Sequence, residues 1–147
     1  MTSRFLRQAG ASVLALELGY LLLIQLAVVV FTPDTAEIDH TAPRGSGDVL
    51  LFLAADAAVA LLLVWGAAVL GLGTFRDRGP RGGRVVALGG AAALQVFVVW
   101  AAASNALARE GGPDLVLNWV MVLLALVAFA GCGTGLRDEF GRPRLAS

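Results

Sequence analysis

A few polar side chains interrupt the long apolar stretches of this sequence, and they are its best candidates for chemistry. They are Glu17, Gln25, Asp56, Gln95, Asn105 and Asn118, and Trp65 is a further candidate for the wall of a cavity. An intramembrane carboxylate can bind a proton or a cation, and an amide can both donate and accept a hydrogen bond. Polar groups are costly in lipid, so each needs either a structural partner or a functional role.

The two glutamines are predicted to lie at equal depth near the middle of a bilayer. Gln95 follows Arg84 by eleven residues, which is about 16 Å along a helix. Gln25 occupies the matching place in a similar stretch of sequence, so the two amides could bond to each other. We expect mainly interhelical stabilisation of about 0.6–2 kcal/mol. The alternative is that they line a pore or a ligand site.

The two carboxylates have different expected depths. Asp56 is predicted near the outer membrane face, where it either pairs with Arg109 in water or handles protons or cations in an outward-open cavity. Asn105 and Asn118 are predicted at a similar height. Glu17 is predicted near the inner surface, where it snorkels or pairs with Arg84, although a pathway role is the alternative.

The remaining reactive residues do not form a recognisable catalytic, cofactor or metal site. The single cysteine, Cys132, excludes an internal disulfide or a CxxC pair, and the single histidine, His40, excludes a haem held between two helix histidines. Metal ligands could be drawn from residues 34–40, but a solvated acidic loop is the better interpretation. No Ser/His/Asp or Cys/His set is present, so we lean against an enzyme. The net charge of zero argues against nucleic-acid binding.

Four apolar segments must position these residues, at about 11–31, 49–73, 85–103 and 115–130. The chain is 58% hydrophobic and only 15% charged, against about 25% charged in soluble domains. Each segment approaches the roughly 20 residues that cross a bilayer as a helix. The sequence therefore predicts one all-α, polytopic membrane domain, an antiparallel bundle of four transmembrane helices surrounded by lipid.

The arginines predict the orientation of this bundle. Nine of the eleven lie in the amino-terminal tail, the middle loop and the carboxyl-terminal tail, and two lie in the other loops. Because basic residues concentrate in cytoplasmic loops, both termini are predicted to be cytoplasmic. The absence of lysine and the scarcity of isoleucine are typical of a high-GC bacterium, which places the protein in a bacterial cytoplasmic membrane.

The two halves of the chain, about 1–78 and 84–140, resemble each other. Gly71-Leu-Gly73-Thr74 matches Gly131-Cys-Gly133-Thr134, and each match is followed by an Arg-Asp pair. Residues 21–30 match residues 91–100 around the two glutamines. These matches predict a duplicated two-helix hairpin with parallel halves. The Gly-x-Gly pieces are not nucleotide loops, and we expect fraying and close helix contact there.

The favoured function is non-enzymatic, an accessory, assembly or interaction subunit of a membrane complex. Small-residue faces would let such a bundle dock a partner or self-associate, and they include Ala54 with Ala58, and the runs 89–93 and 101–103. A small transporter or channel that uses Gln25, Gln95 and Asp56 or Glu17 is the alternative. A membrane enzyme that acts on a lipophilic substrate is the third hypothesis.

Overall fold

The computed structural model describes residues 2–38, 46–72, 80–108 and 112–141, and nearly all of them are helical. The helices are α1 (Thr2–Ile38), α2 (Ser46–Gly71), α3 (Arg81–Leu107) and α4 (Pro113–Gly141). Each contains a stretch long and apolar enough to span a membrane: Ser3–Ala27, Leu53–Gly71, Arg81–Leu107 and Pro113–Gly141. The prediction of an all-α protein with four helices of this length and hydrophobicity is confirmed.

Most of the helices run beyond the apolar segments that predicted them. α1 begins at Thr2 and continues to Ile38, so residues 34–37 are helical and not the start of a loop. α4 continues to Gly141, eleven residues past the predicted end of its segment. Hydropathy locates only the apolar part of a helix. The extension of α4 contains four glycines, which are poor helix formers, so intrinsic propensity does not account for it. α2 alone stops early, at Gly71, two residues before its predicted end.

The helices alternate in direction and pack at the corners of a square. α1 packs on α2 and α4, and α3 packs on α4 and α2, so α1 and α3 lie at opposite corners. The α3–α4 pair is the most closely packed, and the α2–α3 pair is the loosest of the four neighbouring pairs.

At the point where α1 and α4 come closest to each other, both helices have a glycine, Gly10 and Gly131. A Cβ atom added at Gly131 would lie 2.9 Å from the carbonyl oxygen of Leu6 and 3.0 Å from the Cα atom of Gly10. The predicted close helix contact at the second Gly-x-Gly is therefore present. The predicted fraying is wrong there, because α4 continues for a further ten residues. The first Gly-x-Gly does coincide with the end of α2.

Burial is uneven along the bundle. We call the end with Arg7 and Arg84 the arginine-rich end, and the opposite one the far end. Among the side chains that the structure describes in α1 and α2, with Phe52 and the ends of the two helices left aside, the buried ones lie toward the arginine-rich end, whereas residues 15–27 and 53–62 are half-buried or exposed. α3 and α4 stay packed toward the far end, where Ala102, Ala106 and Val122 are buried. Over these described positions, the α1–α2 hairpin therefore encloses the interior more completely at the arginine-rich end.

Candidate functional site

A hydrogen bond between Glu17 and Gln95 crosses the interior of the bundle. The Nε2 atom of Gln95 on α3 donates to the Oε2 atom of Glu17 on α1 at 2.6 Å. These two helices occupy opposite corners and hardly touch through their backbones, so the two long side chains bridge the gap. Gln95 is 0% exposed, and Glu17 is half-buried.

The pair lies half a bilayer away from the arginine-rich end. Glu17 follows Arg7 by ten residues along α1, which is about 15 Å, and Gln95 follows Arg84 by eleven residues along α3, which is about 16 Å. The hydrocarbon core of a bilayer is about 30 Å thick. With the arginines at a membrane surface, both helices therefore put the Glu17–Gln95 pair near the midplane.

Apolar side chains seal the pair from the arginine-rich end. Leu14, Leu88, Ala91 and Cys132 are each at most 1% exposed and belong to one packed core. Cys132 on α4 also lies within electrostatic range of Glu17. On the far side the neighbouring positions of α1 and α2 are only half-buried, so Glu17 lies at the boundary between the sealed half and the less enclosed half.

The second polar atom of the Gln95 amide has no hydrogen-bond partner. Its Oε1 atom is buried, and no donor reaches it in the described part of the chain. A buried acceptor without a donor costs about 1–3 kcal/mol, so a group of this kind calls for an explanation. Rotating the amide about its last bond would exchange Nε2 and Oε1, and Gln95 would then accept a hydrogen bond from a protonated Glu17. One side chain can thus serve both charge states of the carboxylate.

A second carboxylate within an apolar helix, Asp56, is also incompletely paired. It is half-buried on α2, and its Oδ2 atom is buried with no partner among the described residues. A Cβ atom at Gly66 of α2 would lie 3.3 Å from the Leu14 side chain of α1. Gln25 follows Leu14 by eleven residues on α1, and Asp56 precedes Gly66 by ten residues on α2. Because the two helices are antiparallel, Gln25 and Asp56 lie at about the same level.

The predicted Gln25–Gln95 and Glu17–Arg84 pairs are wrong. Gln95 bonds to Glu17, and no hydrogen bond joins it to Gln25, which lies two turns, about 12 Å, further along α1. Arg84 is not the partner of Glu17, because it pairs with Glu139. The prediction of equal depth for the glutamines fails because the packing of α1 and α3 against α4 fixes a different axial offset.

The remaining candidates do not join the site. Asn105 is exposed, and the Nδ2 atom of Asn118 donates to the backbone oxygen of Asp114, one turn earlier on the same helix. Trp65 is half exposed, and its ring lies 3.2 Å from a Cβ atom built at Gly83, beside the arginine-rich end and below the Gln95 level. Other residues named in the predictions lie outside the described part of the chain, namely Arg109, Asp39, His40 and the side chains of Asp34 and Glu37.

Two interhelical ion pairs at the arginine-rich end were not predicted. Arg7 of α1 donates from Nη1 to Oδ2 of Asp138 at 2.9 Å. Arg84 of α3 binds Glu139 through Nε and Nη2, at 3.1 Å and 3.0 Å. The two acidic residues are neighbours near the end of α4, so this helix is fastened to both helices beside it. We call these contacts the inner ion pairs. The signal in the sequence is two consecutive acids beyond the last apolar segment.

Comparison with known proteins does not assign the chain to a family. No protein-family model matches the chain, and neither a curated protein nor a solved structure is similar to it. Within the described helices, no three His, Cys, Asp or Glu side chains converge as a metal site would require. The Glu17–Gln95 pair and its surroundings are therefore the strongest indication of function in this chain.

Proposed function

We propose that the protein is a small proton transporter or channel of a bacterial cytoplasmic membrane, with both termini in the cytoplasm. The four apolar helices and the bias of nine arginines to one side support this placement. The observation that carries the function is the Glu17–Gln95 hydrogen bond, which holds a titratable carboxylate at the level of the membrane midplane. Ionisable groups at that depth are costly and mark ion pathways or proton relays.

The dimensions of the site favour a proton over a larger cation. The donor and acceptor atoms are 2.6 Å apart, and the free acceptor, Oε1 of Gln95, is completely enclosed. A metal ion or an ammonium group would need space and several oxygen ligands, whereas a proton needs only the carboxylate itself. Rotation of the Gln95 amide then satisfies Glu17 after it has bound the proton.

The uneven burial gives the proton a direction of entry. Glu17 lies at the boundary with the less enclosed half of the bundle, which is the outer half in this orientation, and Leu14 and Cys132 close the inner half. Release to the cytoplasm then requires the α1–α2 hairpin to move against α3 and α4 and to break the contact between Arg7 and Asp138. Such a motion would turn the α1–α2 hairpin as a unit about a site between it and the other two helices.

Proton flux into liposomes tests the proposal. The purified full-length chain is reconstituted with a pH-sensitive dye inside, and a potassium gradient with valinomycin sets a negative interior. We expect wild-type liposomes to acidify and Glu17→Gln liposomes to behave like empty ones. Asp114→Asn is the matched control, since it removes a carboxylate at the exposed start of α4 and should leave the flux unchanged. Wild-type flux equal to that of empty liposomes, or unchanged flux in Glu17→Gln, would overturn the proposal.

A second candidate is the accessory, assembly or interaction subunit favoured by composition. Two observations support it: Gln95 and the core residues beside it are buried, and α2 presents exposed alanines, among them Ala54 and Ala58. Several of the other predicted small-residue positions face inward, since Ala91, Ala92 and Ala102 are buried. Absence of flux in the wild type, together with co-purification of a stoichiometric partner that Ala58→Leu releases, would favour this role. We propose no enzymatic role, because no catalytic set converges among the described residues.

A further inference from the structure

We infer that Asp56 is a second proton-binding site on the same path, the outer station from which Glu17 receives its proton. This inference rests on the proposed function of Glu17. Its basis is the geometry of Asp56, whose Oδ2 atom is buried without a hydrogen-bond donor in the described part of the chain. A buried carboxylate oxygen that has no donor and no cation is satisfied by a bound proton, which needs no additional space.

Asp56 lies on the face of α2 that is directed into the bundle. It precedes Val59 by one helical turn and Leu63 by two, and these two side chains belong to the packed core or lie against it. Leu63 is 1% exposed, whereas Val59 and Asp56 are half-buried, so enclosure falls progressively toward the far end along this face. Asp56 therefore lies within the less enclosed half that leads to Glu17.

Gln25 gives Asp56 the same kind of neighbour that Gln95 gives Glu17. The antiparallel contacts of α1 with α2 place Gln25 at the level of Asp56, and both residues are half-buried. An amide can donate to a carboxylate or accept from a carboxylic acid, so it suits a group that gains and loses a proton. Each carboxylate thus has an amide at its level on a neighbouring or opposite helix.

Few other titratable groups face this station. Among the described side chains of α1 they are Glu17, two turns or about 12 Å further in, and Tyr20, which is exposed. On α3 residues 85–108 contain none, and on α4 residues 113–131 contain only Asp114 at the outer start of the helix. Asp56 and Glu17 are therefore the two inward-directed carboxylates among the described side chains of the outer half.

Carbodiimide labelling tests the station without relying on flux. Dicyclohexylcarbodiimide is an apolar reagent that adds to a protonated carboxyl group in apolar surroundings, and peptide mass spectrometry locates the adduct. In membranes near neutral pH we expect adducts at Asp56 and Glu17 and none at Glu139, whose two oxygens bind the Arg84 guanidinium. Labelling of Glu17 without Asp56 would overturn the inference and leave the proposed function standing.

Flux measurements on Asp56 variants give the second arm of the test. With few protons outside, at mildly alkaline pH, Asp56→Asn should slow inward flux at least about tenfold, since a positioned proton-transfer group contributes about 10²–10⁴-fold. Asp56→Glu should restore flux, which separates proton transfer from folding. Equal flux in Asp56→Asn and wild type would overturn the inference. Loss of flux in Glu17→Gln beside normal flux in Asp56→Asn would confine the proton path to Glu17.

Discussion

Glu17 and Gln95 depend on each other because neither has another hydrogen-bond partner among the described residues. The contact gives a half-buried carboxylate one hydrogen-bond donor, and it joins two helices that hardly touch otherwise. Sequence reasoning found both residues, because a polar side chain inside an apolar run is conspicuous. It assigned the wrong partners, because the register of a sequence repeat does not determine the axial offset between packed helices.

Gly131 gives a prediction at the residue scale. Gly131→Ala places a Cβ atom 2.9 Å from the Leu6 oxygen and 3.0 Å from the Gly10 Cα atom, both backbone atoms that cannot give way cheaply. We expect the free energy of unfolding to fall by about 1–3 kcal/mol, measured by chemical unfolding in detergent with circular dichroism. Gly133→Ala is the matched control, because nothing lies within 4 Å of its added Cβ atom, and the better helix propensity of alanine should leave stability unchanged or raise it by up to about 1 kcal/mol. Equal effects in the two variants would contradict the close packing of α1 on α4.

At the scale of elements, α4 is the helix that the other three depend on at the arginine-rich end. It contacts α1 through Gly131 and Asp138, and α3 through Glu139. The four helices could be predicted from hydropathy, because each contains enough apolar residues to cross a bilayer. The last turns of α4 could not, because they are polar and are stabilised by arginines distant in sequence. That pairing depends on which helices are neighbours in space.

Arg84 gives the prediction at this scale. Arg84→Ala leaves Glu139, which is 2% exposed, as a buried charge without its bidentate partner. We expect a loss of about 3–5 kcal/mol in the free energy of unfolding, and the double change Arg84→Met with Glu139→Met should recover most of it. Arg4→Ala removes an exposed arginine and serves as the control. A loss no larger than that of Arg4→Ala would show that the inner ion pairs do not fasten α4.

At the scale of the whole molecule, the bundle is two unequal halves along its axis. One half is sealed by packed apolar residues and the inner ion pairs, and the other half is enclosed by α3 and α4 but incompletely by α1 and α2. Composition predicted a lipid-surrounded four-helix chain but not this asymmetry. The asymmetry comes from where buried residues fall along α1 and α2, and therefore from tertiary packing. Glu17 lies where the two halves meet.

The central claim is that Glu17 exchanges a proton within the membrane, and infrared titration of the reconstituted protein tests it most directly. Acidification should produce a carboxylic-acid carbonyl band that is absent in Glu17→Gln, shifted in Gln95→Leu because its hydrogen-bond partner is lost, and still present in Asp56→Asn. Identical pH-difference spectra in wild type and Glu17→Gln would show that Glu17 keeps one charge state throughout, and that result would contradict the account.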